Sequence, residues 1–67
     1  MKLTVNGAEH ELALDLATVA DLVADLGLRP EIVAVERNGD LVPRATHAEV
    51  GLAEGDRIEI VTLVGGG

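Results

Sequence analysis

Apolar and polar residues alternate in two short segments at the start of the chain, residues 2–5 and residues 11–16. Between them, Asn6 and Gly7 are residue types that readily adopt the positive φ angles of a tight hairpin turn. Alternation with period two places every second side chain on the same face of a strand. We therefore predict a β-hairpin. Its buried face would consist of Leu3, Val5, Leu12, Leu14 and Leu16.

The next segment has the hydrophobic period of a helix. Its apolar positions, which fall on one stripe, are Val19, Leu22, Val23 and Leu26. Thr18 is a good N-cap residue and Asp21 stands at the capping-box position. Gly27 occupies the place of a left-handed residue after the helix, and Leu28 can make the hydrophobic contact of that motif. The pattern predicts one amphipathic helix with both ends marked.

Two further strands are predicted after Pro30, which prevents the helix from continuing. Residues 32–37 are mostly apolar, which favours a strand in the interior of a sheet. The Asn-Gly pair at residues 38–39 predicts a second tight turn, and residues 41–42 form the short returning strand. Pro43 lacks a backbone N–H group, so we place this short strand at a sheet edge.

The remaining segments complete the order of elements. For residues 45–53 we predict a single helical turn with Ala48, Val50 and Leu52 facing inward. Residues 57–64 form the longest predicted strand, and three glycines follow it. The order ββαβββ with one amphipathic helix predicts the α+β class, in which a mixed sheet of four or five strands packs on the helix. This is the ubiquitin-like β-grasp arrangement, which we assign to residues 1–64, with a flexible tail at residues 65–67.

Length and charge restrict the partners. The chain has 67 residues, a formal net charge of −7 and no cysteine, so we expect one domain without disulfides. The negative charge disfavours binding to nucleic acid and to anionic membrane surfaces. No segment approaches the ~18 consecutive apolar residues of a membrane span. We therefore expect a cytoplasmic protein that is monomeric when free.

Conventional catalytic and metal-binding groups are scarce. His10 and His47 are isolated in polar surroundings, so we interpret both as surface histidines. Asp21 and Asp25 lie four residues apart on the predicted solvent face of the helix, with no third ligand, so no metal site is predicted. Serine and cysteine are both absent, and no phosphate-binding glycine motif is present. These absences argue against a self-contained hydrolase, and we expect the chain to bind no nucleotide cofactor by itself.

The run Gly65-Gly66-Gly67 is the exception. Three residues without Cβ make a tail thin enough to enter a narrow tunnel and to present the Gly67 carboxylate in the active site of another protein. The alternative interpretation is a frayed terminus or a cloning remnant. We favour the first because the glycines directly follow the last predicted strand, so that a rigid body would aim a flexible tether.

Several segments together resemble a known family. They are residues 5–7 (Val-Asn-Gly), residues 38–44 (Asn-Gly-Asp-Leu-Val-Pro-Arg), residues 52–61 and the terminal Gly-Gly. In this order and at this length they resemble the ThiS family, the sulfur carriers of thiamine thiazole synthesis, over essentially the whole chain. Members of that family often carry an aromatic residue near residues 46–47, and this chain has none. The small subunit of molybdopterin synthase, which is usually longer and lacks the Asn-Gly to Val-Pro-Arg stretch, is the alternative family.

The resemblance implies a function. In such carriers a ubiquitin-activating-type (ThiF-like) adenylyltransferase uses ATP to adenylate the C-terminal carboxylate, here that of Gly67. Sulfur from a cysteine desulfurase then converts it to a thiocarboxylate, which a ThiG-like thiazole synthase uses to build the thiazole ring. The resemblance thus implies that the chain is a co-substrate of these enzymes rather than an enzyme itself. The remaining alternative is a β-grasp interaction module without covalent chemistry.

The last predicted strand also suggests a docking surface. Glu59 must face water, so Ile58 and Ile60 are predicted to point into the core. Val61 and Leu63 then lie on the exposed face beside the tail, and we predict that they dock the activating partner. The acidic surplus of the chain would complement a basic rim on that partner.

Overall fold

A computed structural model describes residues 1–63, and it contains a five-stranded mixed sheet with one α-helix packed on one face. The strands are β1 (Lys2–Val5), β2 (Ala8–Glu11), β3 (Val33–Arg37), β4 (Asp40–Val42) and β5 (Arg57–Thr62); the helix is α1 (Val19–Asp25). Two 3-10 turns, Pro30–Ile32 and Arg44–Thr46, precede β3 and follow β4. The predicted order of strands and helix is confirmed. Residues 64–67, and with them the predicted domain boundary and glycine tail, lie outside the described residues.

The sheet order is β2-β1-β5-β3-β4. β5 lies in the centre and runs parallel to β1, whereas its pairing with β3 is antiparallel. The short strand β4 lies at an edge, as predicted from its proline, and β3 is interior. No helix within residues 1–63 is long and apolar enough to cross a membrane.

The first hairpin differs from the prediction. β2 lies at Ala8–Glu11, whereas the alternation of polar and apolar residues predicted this strand at residues 11–16. The turn at residues 6–7 has positive φ at both positions and pairs the last residue of β1 directly with the first residue of β2. The strand therefore begins at once and ends at residue 11. Leu12 still reaches the core, but Leu14 is 79% exposed, so its predicted burial is wrong.

The helix and its ends follow the prediction. Val19, Leu22 and Val23 are buried, and Leu26 is partly buried against them. Thr18 and Asp21 form a reciprocal capping box. At the other end Gly27 has a φ of 73°, and the N–H of Leu28 donates to the carbonyl of Val23 at 3.0 Å. This closes the turn that the glycine predicted.

The core joins α1 to the inner face of the sheet. It consists of Leu3, Leu12, Val19, Leu22, Val23, Val33, Val35, Val42, Ile58 and Ile60. Ile58 and Ile60 are 0% and 8% exposed, which confirms the predicted inward face of β5. All ten are aliphatic, as a chain without aromatic residues requires.

The segment after β4 also differs from the prediction. Val50 and Leu52 pack against the core as predicted, but Ala48 is exposed. His47, predicted at the surface, is only 4% exposed, with Nε2 at 3.3 Å from the carbonyl oxygen of Val42. Its polar sequence neighbours did not indicate this, because burial follows from how the 3-10 turn docks on α1: Ala20 donates its N–H to the His47 carbonyl at 2.9 Å.

Candidate functional site

Exposed apolar side chains lie at the end of β5, on the outer face of the sheet, which is the face opposite α1. Val61 and Leu63 are 60% and 52% exposed, as predicted. Val61 pairs with Ala34 of β3, and the N–H of Leu63 donates to the carbonyl of Ile32, whose side chain is 38% exposed. Val61 and Ala34 pair in the ladder, and Leu63 and Ile32 lie just beyond its end; we call these four residues the apolar outer patch.

Two carboxylates stand on the same face beside this patch. Glu36 of β3 and Glu59 of β5 are directly opposite each other in the ladder, and both are exposed. Like charges directly opposite each other on neighbouring strands destabilise a sheet. Neither forms an ion pair with a basic side chain within residues 1–63. Together with Leu41, which is opposite Glu36 and 67% exposed, they give the outer face a mixed apolar and acidic surface.

Two asparagines bind the backbone of β5. At its start, Asn38 donates its N–H to the carbonyl of Arg57 at 2.7 Å, and its Oδ1 accepts the N–H of Arg57 at 2.8 Å. Nearer the end, the N–H of Asn6 donates to the carbonyl of Ile58, while the Asn6 side chain binds the N–H and carbonyl of Ile60. The Asn-Gly pairs in the sequence predict only turns at these residues. Their second role was missed because the Asn-Gly turn already accounts for both of them.

A buried carboxylate fixes the turn that leads into β5. Asp56 is 6% exposed and accepts hydrogen bonds from Arg37 Nε at 2.7 Å, Asn38 Nδ2 at 3.0 Å and the backbone N–H of Ala53 at 2.8 Å. Burial by itself raises the pKa of the Asp56 carboxyl, but these hydrogen bonds and the guanidinium charge of Arg37 hold that pKa below its ordinary value. The start of β5 is therefore anchored by a charged network.

The other candidate residues have structural partners. His10 Nε2 lies 3.1 Å from Asp25 Oδ2, which links β2 to α1. Asp21 accepts the backbone N–H of Thr18 in the capping box. No group of three or more potential metal ligands occurs within the described part of the chain. The predicted reactive residues, at 65–67, lie outside residues 1–63.

Comparison with known proteins gives matches over the full length of the chain. The ThiS family model matches residues 3–67. The sulfur carrier protein ThiS of Bacillus subtilis is 42% identical over 65 residues, which is 97% of this chain and 98% of the relative. Thiazole synthases of Paramagnetospirillum magneticum and Magnetococcus marinus are 43% and 45% identical over all 67 residues. The chain spans only about a fifth of the length of these two relatives.

Solved structures show the same architecture. The crystal structure of the thiamine biosynthesis protein ThiS from Geobacter metallireducens superposes with a TM-score of 0.83 at 32% identity, covering all of both chains. The solution structure of a thiamine biosynthesis protein from the same organism gives 0.80 and covers 88% of that chain. These similarities confirm the predicted ubiquitin-like β-grasp fold.

Proposed function

Since the chain belongs to the ThiS family of sulfur carriers in thiamine biosynthesis, we propose that it carries sulfur as a thiocarboxylate on Gly67 and donates it to the thiazole ring. The observation that supports this most strongly is the position of β5. It is the central strand of the sheet, it is anchored at several points along its length, and in the sequence it leads directly to Gly65, Gly66 and Gly67. A firmly held strand is a suitable base from which to aim a thin tail.

Activation is the first chemical step. A carboxylate is a poor electrophile because its charge is shared by two oxygens. An oxygen of the Gly67 carboxylate attacks the α-phosphorus of ATP, pyrophosphate leaves, and an acyl adenylate forms. The activating enzyme, an adenylyltransferase of the ubiquitin-activating type, supplies the ATP site and the groups that stabilise the developing charge. The carrier supplies only its terminus and the surface by which it is recognised.

Sulfur transfer is the second step. A cysteine desulfurase takes the sulfur of cysteine as a persulfide, and a thiol reductant, which is oxidised to a disulfide, releases this sulfur at the oxidation level of sulfide. The sulfide then adds to the acyl carbon of the adenylate. The bond from this carbon to the bridging oxygen breaks, and AMP leaves with that oxygen. The product is a thiocarboxylate in which one sulfur has replaced one oxygen, so the carrier gains the mass difference between these two elements.

The acceptor of the sulfur is a thiazole synthase. Two relatives named thiazole synthase contain a segment that is similar to this entire chain, which supports a close association between the carrier and that enzyme. Joining two partners in one polypeptide raises their effective concentration. We place the chemistry in the cytoplasm, with the free carrier as a monomer, and the family match favours this pathway over molybdopterin synthesis.

Docking to the activating enzyme uses the outer face of the sheet. The apolar outer patch, with Val61 and Leu63 nearest the tail, offers contact area. A basic group on the partner reduces the repulsion between the opposed carboxylates of Glu36 and Glu59. A basic partner surface also complements the net charge of −7 of this chain. The apolar outer patch, with carboxylates at its border, therefore fits an apolar surface with a basic rim on the activating enzyme.

Extending the tail tests the requirement for Gly67 as the last residue. One alanine added after Gly67 moves the free carboxylate by about 3.3 to 3.6 Å. Misplacement of a reacting group by about 1 Å can already reduce the rate about a hundredfold. We expect an unchanged melting curve, retained binding to the activating enzyme and almost no AMP formation.

An added glycine is the matched control, since it displaces the carboxylate equally but adds no Cβ. If both extended proteins lose AMP formation, displacement is the cause; if only the alanine form does, the cause is bulk in the tunnel. Normal AMP formation by both forms would contradict the claim that Gly67 must be the last residue.

A further inference from the structure

Asn6 stands where β5 extends beyond β1. The two strands pair only as far as Val5 and Ile58. Asn6 then turns away with a φ of 50°, yet its side chain returns to β5: Oδ1 accepts the N–H of Ile60 at 2.7 Å, and Nδ2 donates to the Ile60 carbonyl at 3.1 Å. One side chain thus binds both backbone polar groups of Ile60.

The chemistry of the side chain suits this place. A carboxamide has the donor and acceptor of a peptide group, so the Asn6 amide acts as one additional residue of β1. Asparagine also tolerates the positive φ that the turn requires. An aspartate would still accept the Ile60 N–H, but its second oxygen would face the Ile60 carbonyl oxygen. Glycine would keep the turn and provide neither hydrogen bond.

This contact is the last on its edge of β5. Within residues 1–63, no backbone hydrogen bond reaches β5 from the β1 side after Ile60. On the opposite edge, β3 continues to pair with Val61 and Thr62. The end of β5 is therefore bound on one side by a ladder and on the other by the Asn6 amide alone.

We propose that Asn6 is a positioning residue for the chemistry at Gly67, because its amide fixes the direction in which the end of β5 leaves the sheet. This inference rests on the proposed function. Without the amide, the end of β5 is free to separate from β1 on one edge, and the position from which the chain continues toward Gly67 varies more. The carboxylate is then in reach of the α-phosphorus of ATP for a smaller fraction of the time.

Asn38 provides a matched control. Its φ is 51°, and a glycine with positive φ follows it. Its Oδ1 accepts the N–H of Arg57 as the Oδ1 of Asn6 accepts that of Ile60, while its Nδ2 donates to Asp56. Asn38, however, binds the start of β5, at the opposite end from the tail. If the asparagines only stabilise the fold, equivalent changes at both sites should have equivalent effects on the reaction.

The first experiment measures amide hydrogen exchange in Asn6→Gly, Asn6→Asp and Asn38→Gly, all of which retain a residue that tolerates positive φ. In Asn6→Gly we expect the Ile60 amide to exchange at least about tenfold faster, relative to helix amides of the same protein, because it has lost its acceptor. Asn6→Asp should keep the Ile60 amide protected. Asn38→Gly should affect Arg57 and leave Ile60 unchanged.

The second experiment measures AMP formation with the activating enzyme, ATP and sulfide, which displaces AMP from the adenylate, at a temperature where all variants are folded. For Asn6→Gly we expect kcat to fall on the order of tenfold with KM changed less than about threefold, because the loss is one of orientation after docking. Asn38→Gly should retain both values. Equal losses of kcat in both variants, or an unchanged kcat in Asn6→Gly, would overturn the proposal.

The two experiments separate this inference from the proposed function. If the wild-type chain forms no AMP with an enzyme that activates its own carrier, the proposed function is wrong. The exchange data still decide whether Asn6 holds the end of β5: unchanged Ile60 exchange in Asn6→Gly rejects it.

Discussion

Neighbouring residues of β5 have opposite surroundings. Ile60 is 8% exposed and packs in the core, whereas Val61 is 60% exposed on the outer face. Removing a buried aliphatic side chain leaves a cavity, so Ile60→Ala should lower the free energy of unfolding by about 2 to 5 kcal/mol. Val61→Ala should change it by less than about 0.5 kcal/mol. Chemical denaturation of the two variants measures this difference, and equal losses would contradict the assignment of faces.

Val61 is also a docking residue in the proposed function. Val61→Ala should therefore raise KM for the carrier in AMP formation while the melting curve stays unchanged. Leu14 is the control, since it is apolar and 79% exposed but lies in the loop between β2 and α1. If Leu14→Ala raises KM as much as Val61→Ala does, the effect is not specific to the apolar outer patch.

Asp56 makes stability depend on pH. Because the pKa of its carboxyl is lower in the folded than in the unfolded protein, its contribution is fully present above the unfolded value of about 3.9. The contribution is lost as the pH falls through the folded pKa. Asp56→Asn should therefore reduce the free energy of unfolding at pH 7 by about 1.5 to 3 kcal/mol, the range for hydrogen bonds to charged groups.

The difference between wild type and Asp56→Asn should shrink as the pH falls below about 4. Denaturation curves of both proteins from pH 7 to pH 2 measure it. A difference that is constant over this range would mean that the ionised carboxylate of Asp56 is not what stabilises the turn before β5.

At the level of elements, the end of α1 depends on one backbone conformation. Gly27 has a φ of 73°, and a Cβ there would meet no atom within 4 Å. Gly27→Ala should therefore cost about 1 to 2 kcal/mol through the strain of the left-handed conformation alone. Gly51 is the control, because its φ is not positive and a Cβ would lie at an ordinary 3.8 Å from the Ala17 carbonyl oxygen.

For Gly51→Ala we expect unchanged stability or a gain of up to about 1 kcal/mol. Thermal melts of both variants compare the two glycines directly. If Gly51→Ala were the more destabilising of the two, the conformation of Gly27 would not be the feature that ends the helix.

Elements with local determinants were predictable from the sequence. The capping box of Thr18 and Asp21 and the closing turn at Gly27 depend on residues within a few positions of one another. The start of β2 was not found, because the alternation at residues 11–16 outweighed the direct pairing that a two-residue turn imposes. The burial of His47 depends on packing between elements that are distant in the sequence, so the polar residues around His47 did not indicate it.

The same distinction holds for the candidate site. Alternation around Glu59 was sufficient to place Val61 and Leu63 on the outer face. The binding of Ile60 by Asn6 was not predictable, because these residues lie 54 positions apart and meet only through the parallel pairing of β1 and β5. The role of the glycine tail came from the sequence and stays a prediction.

At the scale of the whole molecule, residues 1–63 and the glycine tail have separate roles in the proposed function. The sheet and helix bury an aliphatic core and present the outer face, while the proposed reaction takes place at Gly67. We expect the chemical change at Gly67 to leave the stability of residues 1–63 unchanged, because the core described there lies entirely within those residues. The docking surface and the reacting atom can therefore be tested independently.

The most direct test of the account is the intact mass of the protein after incubation with a ThiF-like activating enzyme, ATP, a cysteine desulfurase, cysteine and a thiol reductant. The control is a protein that lacks Gly66 and Gly67, which should remain folded and unmodified. We predict that the full chain gains the mass difference between sulfur and oxygen, located by fragmentation at Gly67. Unchanged mass, with an enzyme that modifies its own carrier in a parallel reaction, would contradict the claim that this chain carries sulfur.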